Sequence, residues 1–178
     1  MAAKRVEIGP TGDVVRANIA SVRRERGYTL RQLSDRFGEI GRPMSNSSIS
    51  QIETGSRRVD VDDLVAFAVA LDVSPNALLM PQHYDANRLI DAAGAPQVSA
   101  GLFWYFLDGM RSLTTQSVDF VVRSQPPFLR PRSIPDPSKS RDMGPLRVAR
   151  MMQTDGDNVD CGVTIGVGNL LPDEQNED

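Results

Sequence analysis

Residues 45 to 58 read Ser-Asn-Ser-Ser-Ile-Ser-Gln-Ile-Glu-Thr-Gly-Ser-Arg-Arg. On a helix, Ile49 and Ile52 turn to one side, and Asn46, Ser47, Ser50 and Gln51 fall on the other. A primary amide presents a donor beside an acceptor, which matches the N6 and N7 edge of adenine in the major groove, whereas a hydroxyl serves any base. Gly55 is a stop signal for the helix. Thr54, Arg57 and Arg58 then stand where a phosphate backbone passes a groove-bound helix. The pattern predicts a helix over 45–54 with Asn46, Ser47, Ser50 and Gln51 on base edges and Thr54, Arg57 and Arg58 on phosphates of double-stranded DNA.

Such an element must be carried by other helices, and the flanks supply them. Thr11 to Arg26 places Val15, Ile19 and Val22 on one apolar face. Thr29 with Gln32 forms a capping box for a second helix that carries Leu30, Leu33, Phe37 and Ile40 inward. Beyond the polar helix, Asp60 caps a fourth, with Asp62 and Asp63 at the favourable end of its dipole and Leu64, Val65, Ala68 and Leu71 inward. Ser74-Pro75 opens a short fifth that stops before Pro81. Each helix is too short to persist alone, so packing of apolar faces must stabilise them all.

These segments resemble the lambda-repressor-like helix-turn-helix proteins, the XRE family, over about residues 12 to 80. The carriers are Arg-Gly-Tyr-Thr-Leu-Arg-Gln-Leu-Ser (26 to 34), Ser-Ser-Ile-Ser-Gln-Ile-Glu-Thr-Gly (47 to 55) and Leu-Val-Ala-Phe-Ala-Val-Ala-Leu-Asp-Val-Ser-Pro (64 to 75). The resemblance implies base-reading positions at Asn46, Ser47 and Gln51, and a partly buried structural ion pair between Arg23 and Glu53. It also implies a DNA-binding transcriptional regulator of an actinobacterial or phage type. The chain departs from the family at Leu30, where relatives often carry a polar contact. It departs again at Gly38-Glu39-Ile40-Gly41-Arg42-Pro43-Met44, which replaces a turn of about 3–4 residues. Pro43 pushes Arg42 toward extended geometry. Arg42 then either reaches a phosphate or stays a solvated loop arginine.

The net charge of −3 does not advertise nucleic-acid binding, but it is unevenly spread. Residues 1 to 81 hold eleven basic and ten acidic side chains, residues 82 to 150 nine and six, and residues 151 to 178 none and seven. Affinity for DNA would rest on local arginines rather than on a global field. Eighteen arginines against two lysines, Lys4 and Lys139, look like a GC-rich genome rather than a binding adaptation. Arginine is nonetheless the better groove and phosphate reader.

Cys161 is the sole cysteine, so no intrachain disulfide is possible. No apolar run, Leu102 to Leu107 included, is long enough to span a bilayer, and no signal-peptide core opens the chain. The expected place is the cytoplasm, with no membrane partner.

Past residue 81 the pattern weakens. His83 to Ala93 is expected to form a short helix broken at Gly94-Ala95-Pro96. Ser99 to Leu113 spaces Leu102, Phe103, Phe106, Leu107 and Met110 for one helical face, with Trp104 and Tyr105 beside it. This aromatic segment reads as a satellite of the core or a dimer seam, with a ligand or partner groove as the alternative. Asp119 to Arg123 reads as a brief strand. From about Ser133 onward too few large apolar residues remain to offset ordering entropy, which predicts disorder.

The expected architecture is all-α: a flexible start (1–10), a five-helix DNA-binding domain (11–81), a helical extension for dimerisation or a partner (82–132) and a disordered acidic tail (133–178). No catalytic constellation, metal site or cofactor is expected. His83 is the only histidine and reads as a surface residue, far in sequence from Cys161. Asp155-Gly-Asp-Asn-Val-Asp lacks the glycine and terminal glutamate of a calcium loop. Gly166-Val-Gly has no strand and helix pattern around it to make a phosphate cradle. The functional expectation is a sequence-specific regulator, a repressor acting as a homodimer on a two-fold site. The alternative is an antitoxin-like interaction module that engages a protein partner through 99–132 and binds DNA only for autoregulation.

Overall fold

Side-chain acceptors start most of these helices, and left-handed residues end most of them. The computed structural model describes residues 7–82, 85–114, 118–127, 146–155 and 158–167. Helix α1 (Pro10–Glu25) opens on a proline, which needs no N–H in the first turn. It ends at Gly27, whose φ of +70° lets the Tyr28 and Gly27 amides reach back to the Arg23 and Arg24 carbonyls, each at 2.9 Å. Helix α2 (Leu30–Glu39) begins with the capping box: Gln32 N–H donates to Thr29 Oγ1 at 3.2 Å, and Thr29 N–H donates to Gln32 Oε1 at 2.9 Å. Helix α3 (Asn46–Glu53) is capped by Ser45 and closed by Gly55 at φ +79°. Helix α4 (Val61–Leu71) is capped by Asp60, and α5 (Pro75–Leu79) by Ser74 with proline in its first turn.

The core of these five helices contains Ile19, Leu33, Phe37, Ile49, Ile52, Phe67, Leu71 and Leu78, all fully buried. Phe37 and Phe67 meet edge to face with centroids 4.8 Å apart, joining α2 to α4. Of the α4 residues expected inward, Ala68 and Leu71 are buried and Leu64 packs on the core, but Val65 is not inward. Ala66, Phe67, Ala68, Ala70 and Leu71 are buried, while Val65 is exposed along with Val61 and Val69. Nearly every residue of α4 is apolar, so periodicity does not single out one face, and the bulk of Phe67 decides the phase. Ile40, expected inward, is exposed at the C-terminal cap of α2. Gly38 lies inside α2, so the connection to α3 occupies residues 40–45. It is anchored by buried Met44, whose carbonyl accepts from Ser34 Oγ at 2.6 Å.

The expectation of an all-α chain is corrected by two hairpins. In place of a helix before Ala93, β1 (Leu89–Ala92) pairs antiparallel with β2 (Ala95–Ser99), Ile90 opposite Val98. The Gly94 turn at φ +78° makes this hairpin, and Pro96 is tolerated because a two-stranded sheet leaves one edge of each strand unpaired. Ala93 N–H donates to Thr11 Oγ1 at 2.8 Å, docking the hairpin on the start of α1. Helix α6 (Ala100–Leu107), shorter than expected, follows from a Ser99 cap and buries Ala100 and Phe103 while Trp104 and Tyr105 stay exposed. All these elements belong to one unit, Met1–Asp108.

A second unit, Gly109–Asp178, contains α7 (Val118–Ser124) and a hairpin of β3 (Leu146–Asp155) and β4 (Asn158–Val167). The run 119–123, expected as a strand, is helical, with Arg123 Nε 2.7 Å from Asp119 Oδ2 across one turn. The predicted disorder does not hold over 146–155 and 158–167, which pair in register from Leu146 opposite Val167 to Asp155 opposite Asn158. Val159, Cys161, Val163, Ile165 and Val167 alternate with Asp160, Gly162, Thr164 and Gly166, the period-2 signature of a strand. Low overall apolar content had hidden that alternation. His83 lies outside the described residues.

Two polar contacts bind the helices across the core. Arg23 on α1 grips Glu53 on α3 by two parallel bonds, Nε to Oε1 at 2.6 Å and Nη2 to Oε2 at 2.8 Å, with side chains only 14% and 12% exposed. The hydrogen bond to Glu53, then its charge, raise the Arg23 pKa above the ordinary value against the opposing effect of burial. The pairing thus reinforces a charge that an arginine carries at any ordinary pH. Asn18, also buried, donates its amide to the carbonyls of Leu78 at 2.9 Å and Met80 at 2.6 Å, satisfying the end of α5. Glu53→Ala is expected to lower the unfolding free energy by roughly 3 kcal/mol in urea denaturation, because it strands a mostly buried guanidinium; a loss below about 1 kcal/mol would rank the pair with surface bridges. Asn18→Ala should cost ~1–3 kcal/mol by the same measurement, through the carbonyls left without a donor.

Candidate nucleic-acid interface

Ile49 and Ile52 are fully buried, which fixes the roll of α3 and turns Asn46, Ser47 and Gln51 to solvent, with Ser50 half-buried beside them. Among the described residues, the side-chain amides of Asn46 and Gln51 have no hydrogen-bond partner within the protein. Each keeps its donor and acceptor free for a base edge. Ser47 Oγ lies 2.9 Å from the Ser45 hydroxyl, which also accepts from Ser48 N–H at 3.2 Å and caps the helix. Backbone at the other end is fully used: the Gln51 carbonyl accepts from the amides of Ser56 at 2.8 Å and Arg57 at 3.0 Å.

The residues expected on phosphates divide into two kinds. Thr54 Oγ1 donates back to the Ser50 carbonyl at 2.8 Å. Arg58 is exposed and donates from Nε to the Glu7 carbonyl at 2.8 Å and from Nη2 to the same oxygen. A carbonyl partner leaves its charge uncompensated. Arg57 Nη2 instead lies 2.8 Å from Asp63 Oδ2. Arg42 faces three carboxylates, Asp63 at 3.3 Å, Asp62 at 3.6 Å and Asp60 at 3.8 Å. It is thus neither a free phosphate ligand nor a purely solvated arginine.

Sequence reasoning gave Arg16 and Asp63 no place in the interface. Arg16 reaches from α1 to the Glu53 carbonyl at 3.4 Å while paired to Asp13 at 2.7 Å. With Ile8, Gly9, Thr11, Arg57 and Arg58 it lines a groove of about 290 Å³ beside the end of α3. Asp63 is buried because it lies one turn before Phe67 on the inward face of α4, a position visible only once the helix phase is known. Leu30, the departure from the family pattern, is half-buried and packs on the core. Among the described residues no group of His, Cys, Asp or Glu could hold a metal ion, and no helix is long and apolar enough to cross a membrane.

The family model described as helix-turn-helix matches residues 19–78, from the middle of α1 into α5. No curated protein and no solved structure matches the chain. The match spans the helices whose caps, core and outward-facing α3 are described above. Over residues 19–78 the chain therefore carries a lambda-repressor-like helix-turn-helix domain of the XRE type, a DNA-binding kind of domain found in transcription regulators.

Proposed function

We propose that the protein is a sequence-specific transcriptional repressor that inserts α3 into the major groove of double-stranded DNA. The observation that carries this reading is the outward face of α3, where two unpartnered amides five residues apart, Asn46 and Gln51, bracket Ser47 and Ser50. The amides would take adenine edges bidentately, and the hydroxyls would act as permissive readers. Thr54 and Arg58 fix the register on phosphates, Thr54 by turning its hydroxyl away from the Ser50 carbonyl. Arg42 and Arg57 lie on the same phosphate side but give their charge first to the carboxylates of α4.

One such domain presents a small reading surface, so the reading includes a homodimer on a two-fold site with half-sites about 10 bp apart, or a multiple. Bound there, it would occlude a promoter, in the cytoplasm where the chromosome is. A second reading is favoured by Trp104 and Tyr105, which leave α6 exposed. They would engage a protein partner in an antitoxin-like module, with DNA binding serving autoregulation. Selection of bound sites from random duplex DNA at near-physiological salt tests the DNA reading, and purification as a tight hetero-complex marks the second. A two-fold motif without a bound partner supports the repressor, and no enrichment moves the function to the α6 surface.

Gln51→Ala should relax base preference at one position of each half-site and cost ~1–3 kcal/mol of discrimination, read from the same selection. An unchanged motif would refute its role. Arg58→Ala should weaken all sequences alike and flatten the slope of log affinity against log salt by ~1. If the slope does not move, that phosphate contact is absent.

A further inference from the structure

Asp63 has a side chain only 2% exposed, and a carboxylate so buried is costly unless both oxygens are engaged. Here Oδ1 lies 3.3 Å from Arg42 Nη2 and Oδ2 lies 2.8 Å from Arg57 Nη2. The two arginines flank α3 evenly: Arg42 is four residues before its start at Asn46, and Arg57 four after its end at Glu53. One carboxylate on α4 therefore ties down both approaches to the reading helix. Its backbone is fixed in turn, since Asp63 N–H donates to Asp60 Oδ1 at 2.7 Å.

Charge excludes a simpler role. Arg42 and Arg57 stand among Asp60, Asp62 and Asp63, so the cluster carries two positive charges and three negative ones. A cluster with a net negative charge does not attract phosphates. What it supplies is geometry. The inward side of α3 buries only Ile49 and Ile52, and the lengthened connection over 40–45 contains Pro43 and Gly41. Two isoleucines fix the roll of a short helix but leave its tilt to whatever holds the ends.

We propose that Asp63 is a positioning residue for base reading, clasping Arg42 and Arg57 so that α3 meets the major groove at one angle. This rests on the DNA-reading role proposed above. The test measures the affinity of full-length wild type and Asp63→Asn for the selected site and for random duplex across a salt series, with circular dichroism to verify folding. The variant is expected to lose about tenfold or more of the specific-to-random ratio, the discrimination of one misplaced bidentate pair. Its salt slope should be unchanged or steeper, since both arginines keep their charge. Simple loss of stability lowers both affinities together and leaves the ratio alone.

A ratio within twofold of wild type would overturn the proposal, as would a slope flatter by about one, which would make the arginines phosphate ligands that Asp63 merely orients. Should Asp63→Asn fail to fold, Arg42→Gln, a change at a half-exposed side chain, cuts one arm and should lower the ratio in the same sense; no change there overturns the clasp. If wild type itself selects no motif, the DNA-reading role falls and the proposal with it. A wild-type motif read equally well by the variant refutes the clasp alone.

Discussion

An eight-residue helix rich in serine does not persist in water, because nucleation is costly and those side chains compete for the backbone. Everything α3 does depends on being held by its neighbours. Its N-terminus is closed by the Ser45 hydroxyl, its C-terminus by the left-handed Gly55, and its inner face by two isoleucines in the core. The forked bond between Glu53 and Arg23 adds direction to this packing, since a bidentate pair tolerates little sliding between α1 and α3. The outward face is consequently free of structural duties. Its amides can remain unpartnered only because the helix does not need them.

The same economy appears at α5, five residues long and with no chance of standing alone. Its exposed start is satisfied by the Ser74 hydroxyl. Its buried end is satisfied from outside, by the Asn18 amide on α1. Asn76 extends the scheme by donating to the Leu107 carbonyl at 3.2 Å, which ties the last turn of α6 to α5. Asn18, Ser74 and Asn76 thus serve helix ends, where packing of apolar faces offers no partner.

Local signals were legible in the sequence and tertiary ones were not. Thr29 with Gln32, Asp60, Ser74-Pro75 and Gly55 are short-range instructions that need no distant partner, and each acts where its position indicates. The exposed set on α3 could be read because isoleucines three apart define an inner side. Helix α4 blurs that logic, since Leu64-Val-Ala-Phe-Ala-Val-Ala-Leu is apolar on every face: Leu64, Ala68 and Leu71 lie inward as expected, but Val65 does not and Phe67, which meets Phe37, does. From that single ambiguity came the failure to see Asp63 as buried, and with it the partners of Arg42 and Arg57. The hairpins were missed for a different reason. In 158–167 the apolar residues alternate one by one with small or polar ones, so the signal lies in the period rather than in the hydrophobic content of the surrounding tail.

The bond pattern around Asp63 also defines what in this domain is interchangeable. Where a reading helix is joined by a tight turn and touches its neighbours only through apolar side chains, its outer residues can be replaced as a cassette. Here the helix is bracketed by arginines that share one carboxylate on the next helix. The modular piece is therefore not α3 but the whole stretch from Arg42 to Asp63, together with the Arg23 that Glu53 needs on α1. Transplanting a foreign reading helix into this scaffold, or this one into another, conserves docking geometry only when loop, helix, turn and the first turn of α4 travel together.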